Sequence, residues 1–438
     1  MSGRAVSSID RIGRYLERRA DLAGRPLVSG PLDDVKQVVV IPMLEERDSI
    51  EANLGSLAEN AADHLQETLI ICVVNNRAEP HIDEDARHDN EKSLAFLGDL
   101  THGKAEGTLA RLRVGYIDAA SEGRELGAKE GVGTARKLGL DWGLEVLRRA
   151  GTSDGVLICL DADTLVEPDY LAAIRGHFES RDGGAVIDFA HRLDGPAEQQ
   201  KAIIAYELYQ RYHVLGLGYA GSPYAFHAIG STIASTADAY VAAGGMNRRQ
   251  AGEDFYFLQA LAKTSRVDRI RTTKVHPSSR PSRRAPFGTG QRVDRFLQGK
   301  DREYLVYHPD SYKILRAWFE LVGTHRDAEA ISLLELAKEI DVQLVVFLLT
   351  QEFEAVWPKL QANARDADAL LLQFHRWFDG FMSLKLIHYL RDKGLSEVDT
   401  FKALARLGKW RGYPLIEPDS LRSNLAQQKS LLEKLRGL

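Results

Sequence analysis

The sequence predicts an α/β fold, a doubly wound sheet followed by a helical C-terminal region. Three observations carry this. Four short, continuous apolar runs alternate with helix-periodic segments through residues 35–164, the pattern of parallel strands covered on both faces. Polar residues follow those runs directly, where open α/β sheets present their ligand-binding groups. From about residue 296, Leu, Ala, Glu and Lys dominate and proline becomes sparse, which favours packed helices.

Residues 8–22 read as a short charged helix with Ile9, Ile12 and Leu16 on one face, and 26–31 as a linker. VKQVVVIPM (35–43) is the first strand, and 48–64 has helical periodicity. ETLIICVVNN (67–76) is a second buried strand ending in two asparagines. The polar, acidic stretch 80–108 has no clear period and reads as a partly helical excursion. ARLRVGYID (110–118) supplies a third strand, 131–150 a helix, and GVLICLDADT (155–164) the fourth strand. Residues 200–216 form an aromatic-rich helix, 216–236 glycine- and serine-rich loops with short strands, and 276–290 an irregular loop rich in Pro and Arg. The domains expected are 1–34 (helix and linker), 35–295 (the α/β domain) and 296–438 (helical).

The 438 residues carry 57 Lys+Arg and 62 Asp+Glu, a formal net charge of −5, with 44% apolar residues. That excludes a disordered polymer, a collagen or a disulfide scaffold, and gives no reason to expect a nucleic-acid partner. Cys72 and Cys159 each lie inside an apolar run and read as inert core thiols. The first residues lack a signal peptide's apolar core. The longest apolar run, 342–349, falls far short of the roughly 20 residues a spanning helix needs. The expectation is a soluble, cytoplasmic protein whose membrane association, if any, is peripheral; its oligomeric state is open.

Four constellations carry chemistry. Asp161 and Asp163 follow a buried strand. Alternate side chains of an extended segment share a face, so both carboxylates can reach one hard cation, which takes oxygen ligands and bridges to phosphates. Glu253 and Asp254 open the amphipathic FYFLQAL helix, whose dipole keeps a carboxylate ionised as a general base requires. Arg280, Arg283 and Arg284 lie in a Pro-rich loop after His276; guanidinium suits phosphate, and neutral imidazole is a metal ligand. Gly131-Val-Gly133-Thr134-Ala135-Arg136 lacks the third glycine of a dinucleotide fingerprint and the G-K-[ST] of a Walker loop; its small residues let a helix start close to a ligand.

In this order, the segments resemble a family 2 glycosyltransferase with the GT-A fold, whose sheet is mixed. VVVIPMLEE is similar to the family's P-x-x-N-E strand end, with Glu45 for the usual Asn and Glu46 at the acidic position. VVNN resembles the second strand end, with Asn75 where Asp is usual. GVGTARKLG resembles G-x-x-x-A-R-N-x-G, with Lys137 for Asn. DADT matches the metal-binding D-x-D, IGSTIASTADAYVAAGGMN the acceptor-side segment, GEDFYFLQAL the E-D segment and SSRPSRRAPFGTG the following Arg loop. The resemblance spans about 35–295, without the Q-x-x-R-W signature or spanning helices of processive members.

The resemblance implies metal-dependent transfer of a sugar from a nucleotide-diphosphate sugar to an acceptor hydroxyl, with inversion. Asp254 would be the catalytic base. Asp161, Asp163 and His276 would hold Mn²⁺ or Mg²⁺. Pro42, Glu46, Asn75, Arg136, Asp161, Arg283 and Arg284 would bind the nucleotide sugar, and Gly230, Ser231 and Glu253 the acceptor. Two alternatives stand beside it: a retaining GT-A enzyme making a small glycoside such as a glycosylglycerate, in which His276 is a metal ligand, and a non-catalytic carbohydrate-binding or assembly protein on the same scaffold. A nucleotidyltransferase fits less well, because PMLEERDS lacks the Gly-rich, Lys-containing loop after the first strand.

Overall fold

The computed structural model describes residues 7–438 except 21, 23, 83, 153, 283–287, 300 and 414–423. The chain divides into two compact units: Met1–Arg192 with Ala228–Ser279 and Arg284–Phe287, and Leu193–His227 with Arg280–Arg283 and Gly288–Leu438. The Ala197–Tyr219 helix therefore belongs to the second unit, although it lies inside the 35–295 span expected to form one domain.

The first unit is built on a nine-stranded mixed sheet. Its strands are β1 (Leu27–Ser29), β2 (Gln37–Met43), β3 (Thr68–Asn75), β4 (Arg113–Ala119), β5 (Val156–Cys159), β6 (Leu165–Val166), β7 (Gly184–Phe189), β8 (Ile233–Thr236) and β9 (Val267–His276). Their spatial order is β1-β4-β3-β2-β5-β8-β7-β9-β6. The four expected strands are the parallel ones: β2 pairs with β3 and β5, and β3 with β4. The remaining pairs are antiparallel except β7–β9. The chain runs outward from β2 through β3 to β4, then returns to place β5 on β2's other side. That reversal is a topological switch point, where strand ends diverge and leave a crevice. Pro42 sits where they diverge: β2 pairs with β5 only as far as Val40, yet with β3 as far as Met43.

Why the Val132–Arg149 helix lies so close to this sheet is visible in two glycines. A Cβ on Gly139 would come within 2.3 Å of Val40 Cγ1, and one on Gly143 within 2.9 Å of Val38 Cγ1. The Ser8–Arg19 helix packs in turn on the Val132–Arg149 and Ala237–Ala242 helices. Tyr15 Oη donates to Asp141 Oδ1 (3.0 Å) and accepts from Lys137 Nζ (2.8 Å); Lys137 also reaches Asp141 Oδ2 (2.7 Å), and Tyr240 Oη donates to Asp141 Oδ1 (2.7 Å). Ser8 Oγ and Arg11 close the contact on Asp238. Asp141 is thus the centre of a buried polar cluster, with Lys137 as its cation. Burial pushes both cysteine thiols up to about 12, as expected for inert core positions.

The structure sharpens the reading of four segments. The linker 26–31 contains β1, which pairs antiparallel with β4. The 48–64 helix is two, Arg47–Ala58 and Ala62–Gln66, and the 80–108 excursion holds an 18-residue helix, Glu84–Thr101. β9 was hidden because charged residues occupy its open face in VDRIRTTKVH.

The second unit is mainly helical, from Ala197–Tyr219 to Leu425–Arg436, around a core that includes Trp318, Phe353, Trp357, Phe374 and Phe378. Trp377 and Tyr389 pack against that core. Glu207, fully buried, accepts from Arg211 on its own helix and from Arg436 (Nη2 to Oε2, 2.8 Å) on the last one. His213 Nδ1 lies 2.8 Å from Tyr312 Oη, and burial, helped by His388, lowers its pKa to about 4. No described helix is long and apolar enough to cross a membrane.

Candidate active site

The carboxyl ends of β2, β3 and β5 bring the expected residues together. After β5 the chain makes a tight turn, closed by Thr164 N–H on Asp161 O at 3.0 Å, in which Asp161 and Asp163 are partly exposed while Ala162 and Thr164 are buried. The expected extended segment is thus a turn, to which the period of two does not apply; each carboxylate keeps partial exposure. Asn53, fully buried on the Arg47–Ala58 helix, donates from Nδ2 to the carbonyl oxygens of both Asp161 and Thr164 and so fixes this turn.

Arg136 is the centre of the site. It stands in the first turns of the Val132–Arg149 helix, 4% exposed, and its two terminal nitrogens bond Asp161 Oδ1 and Glu253 Oε1. Glu253 is 3% exposed. Gly230 makes the room: a Cβ there would lie 2.1 Å from Arg136 Nη2. Gly252, at a left-handed φ of 73°, turns the chain into the Glu253–Thr264 helix. Asn247 Nδ2 holds the Glu253 carbonyl at 2.9 Å. Asp254 Oδ1 accepts from the Phe255 N–H at 2.7 Å. Burial raises the Asp254 pKa above the usual carboxylate range, with Asp161 adding to the shift and Arg136 opposing it. Ser231 is fully buried, its hydroxyl without a hydrogen-bond partner among the described residues.

The small residues opening the Val132–Arg149 helix serve a neighbour rather than a ligand. Gly133 N–H bonds Arg249 O at 3.2 Å, and a Cβ there would come within 2.4 Å of that oxygen and 2.8 Å of Asn247 O. They let the 247–250 segment, which carries the chain to Glu253, press on the helix start.

Glu46 and Asn75 close the β2 and β3 ends, both buried. Sequence reasoning missed the residue that joins these ends, Asn90 of the Glu84–Thr101 helix. Its Nδ2 donates to Asn75 O (3.3 Å) and Asn76 Oδ1 (3.0 Å), and its Oδ1 accepts from Glu45 N–H (3.3 Å). Pro42 is buried within β2. His276 ends β9, paired with Leu165, and both ring nitrogens are engaged: Nε2 with Glu167 Oε1 (2.8 Å), Nδ1 with Ala190 O (3.2 Å). Arg283 and Arg284 lie outside the described residues.

Among the described residues, no group of three or more His, Cys, Asp and Glu side chains could hold a metal ion. Two partly exposed carboxylates in one turn still fit Mg²⁺ or Mn²⁺ of the kind that uses one or two carboxylates and takes its other ligands from phosphates and water. The arrangement thus offers two neighbouring acids for a cation, a buried guanidinium tying Asp161 to a second helix, and an acid of raised pKa beside it.

No family model and no curated protein matches the chain. Among solved structures it is similar to S. aureus TarS 1–349 in complex with UDP-GlcNAc, at 12% identity over 82% of this chain and 92% of that one, with a TM-score of 0.39. It is also similar to the mannosyltransferase PcManGT from Pyrobaculum calidifontis in complex with GDP-Man and Mn²⁺, at 14% identity over 85% and 94%, with a TM-score of 0.35. At these scores the likeness assigns neither activity nor ligand to this chain.

Proposed function

We propose that this protein is a glycosyltransferase of the GT-A type that moves a sugar from a nucleotide-diphosphate sugar to an acceptor hydroxyl with inversion. The observation that carries the reading is Arg136, buried between Asp161 and Glu253 at the switch point, with Asp254 beside it. Burying such charges is costly unless they are paired, and sites that shift carboxylate pKa values in a crevice are candidates for catalysis.

Asp163, with Asp161, would hold Mn²⁺ or Mg²⁺, which when bound supplies charge neutralisation of the diphosphate leaving group. Arg136 orients Asp161 and lowers the pKa of Asp254. Asp254 takes the proton of the acceptor hydroxyl as that oxygen attacks the anomeric carbon from the face opposite the diphosphate. The Glu253 carboxylate is spent on Arg136, so we assign it to holding that guanidinium rather than to the acceptor. Gly230 and Ser231 border the acceptor side. Glu46 and Asn75, with Pro42 shaping the strand end, are assigned to the nucleotide, and Arg283 and Arg284 to the diphosphate. The engagement of both His276 nitrogens disfavours the retaining alternative, which needs that imidazole on the metal.

The test is a panel of UDP- and GDP-sugars with Mn²⁺, Mg²⁺ or chelator, reading thermal stabilisation and release of nucleoside diphosphate. Metal-dependent stabilisation by one donor, with release abolished in Asp163→Ala, is expected. Neither stabilisation nor release with any donor overturns the reading.

A further inference from the structure

Away from the Arg136 cluster, the Tyr170–Phe178 helix packs on β9, and a groove of 860 Å³ runs beside them. It follows the first half of β9, whereas His276 ends that strand. The volume lies within the range of small-molecule sites. The helix gives the groove only small side chains at Ala172, Ala173 and Gly176, and space is open around Gly176, where a Cβ would meet nothing within 4 Å. Around this floor stand Arg181, Arg266, Arg269 and Arg271, with His177.

The local charges do not saturate Arg181 and Arg266. Arg269 is matched by Asp188, which takes its Nη2 at 3.0 Å in a two-point contact. Asp268 faces two guanidinium groups and an imidazole: Arg266 Nε at 3.3 Å, Arg181 Nε at 3.9 Å and His177 Nε2 at 3.5 Å. None reaches the roughly 2.7–2.9 Å of a charge-assisted hydrogen bond. A guanidinium has five N–H donors. Among the described residues, Arg181 makes no hydrogen bond and Arg266 donates one, from Nε to Asp182 O at 3.2 Å. Burial lowers the pKa of His177, Asp268 opposes the shift, and Arg181 and Arg266 add to it.

We propose that this groove is a second ligand site, separate from the Arg136 site, for a phosphate-bearing anion held by Arg181 and Arg266. Phosphate oxygens accept the planar fork that one shared carboxylate leaves unfilled. The small floor lets the anion approach the helix closely enough for both arginines to reach it.

Calorimetric titration with inorganic tripolyphosphate, in chelator at low and high salt, is the first measurement. Saturable binding weakened by salt is expected. R181A/R266A should weaken it by about tenfold or more, since a hydrogen bond to a charged group is worth about 1.5–3 kcal/mol. Gly176→Glu, which places a carboxylate in open space, should abolish it. Asp163→Ala should leave it unchanged, which separates this site from the donor site. Circular dichroism and the thermal midpoint show that each variant is folded. Sedimentation with phosphatidylserine–phosphatidylcholine vesicles distinguishes the source. Co-sedimentation lost in R181A/R266A assigns the phosphate to a lipid headgroup, and tripolyphosphate binding without it assigns a soluble phosphate ester. Absence of both, or binding that folded R181A/R266A and Gly176→Glu keep at wild-type strength, overturns the proposal and leaves the arginines as charges at a helix C-terminus.

Discussion

Arg136 sets the electrostatics of the site from a position closed to solvent. Its partners face it from opposite directions, Asp161 on the strand-end loop and Glu253 at a helix start. Replacing it by Gln strands a buried Glu253, and breaking a buried pair this way costs about 3–5 kcal/mol. Urea denaturation of Arg136→Gln should show the first unit's transition destabilised by that order. Asp254 makes a cleaner kinetic probe. As the proposed base it should supply about 10²–10⁴-fold, so Asp254→Asn loses that much turnover while donor affinity is retained; wild-type turnover would remove it from the role. Because its folded pKa is raised, the base is protonated at acid pH. Turnover should therefore rise with pH through a value above the ordinary aspartate 3.8, and Asp254→Asn should lose that limb.

At the scale of elements, the Val132–Arg149 helix links Arg136 to the sheet. Adding a methyl at Gly139 improves helix propensity by about 1 kcal/mol but drives that carbon into Val40. Overpacking costs about 1–3 kcal/mol, so Gly139→Ala should be net neutral to destabilising, with Val40→Ala recovering stability in the double variant. The helix and the parallel strands it covers were legible because apolar runs and helical periods fall in register with burial. Asp161, Asp163, Arg136 and Glu253 were legible because they stand at strand ends and helix starts. Asn53 and Asn90 were not, although a signal existed. Each amide sits on the buried stripe of its helix, Asn53 beside Ile50, Leu54 and Leu57, and Asn90 between Ala86 and Leu97. A buried amide must find partners, but the sequence does not say which loop supplies them. β7 and β9 escaped for another reason: β9 is charged on its open face, and its pairing with β7 shifts register between Ile187 and Asp188.

For the whole molecule, acid is the informative variable. Burial disfavours the charged form of His213 and, with His388, holds its pKa down at about 4, below the ordinary histidine value of 6.5. A depressed folded pKa means that the unfolded chain binds the proton more readily, so this contribution is present above pH 6.5 and is lost as pH falls toward 4. The second unit should lose stability across that window, read as a falling denaturant midpoint of its transition, and His213→Gln should flatten the slope.

The contact that closes the Ser8–Arg19 helix onto Asp238 spans 230 residues of sequence. At about 5–20 residues per second of synthesis, the helix waits roughly 10–50 s on the ribosome before its partner exists. Through that interval Ile12 and Leu16, buried in the finished protein, have no Ala237–Ala242 helix to cover them. The nascent chain thus carries an apolar stripe that the Val132–Arg149 helix alone can cover only in part, and a ribosome stalled before codon 238 would hold it in a form that holdase chaperones bind.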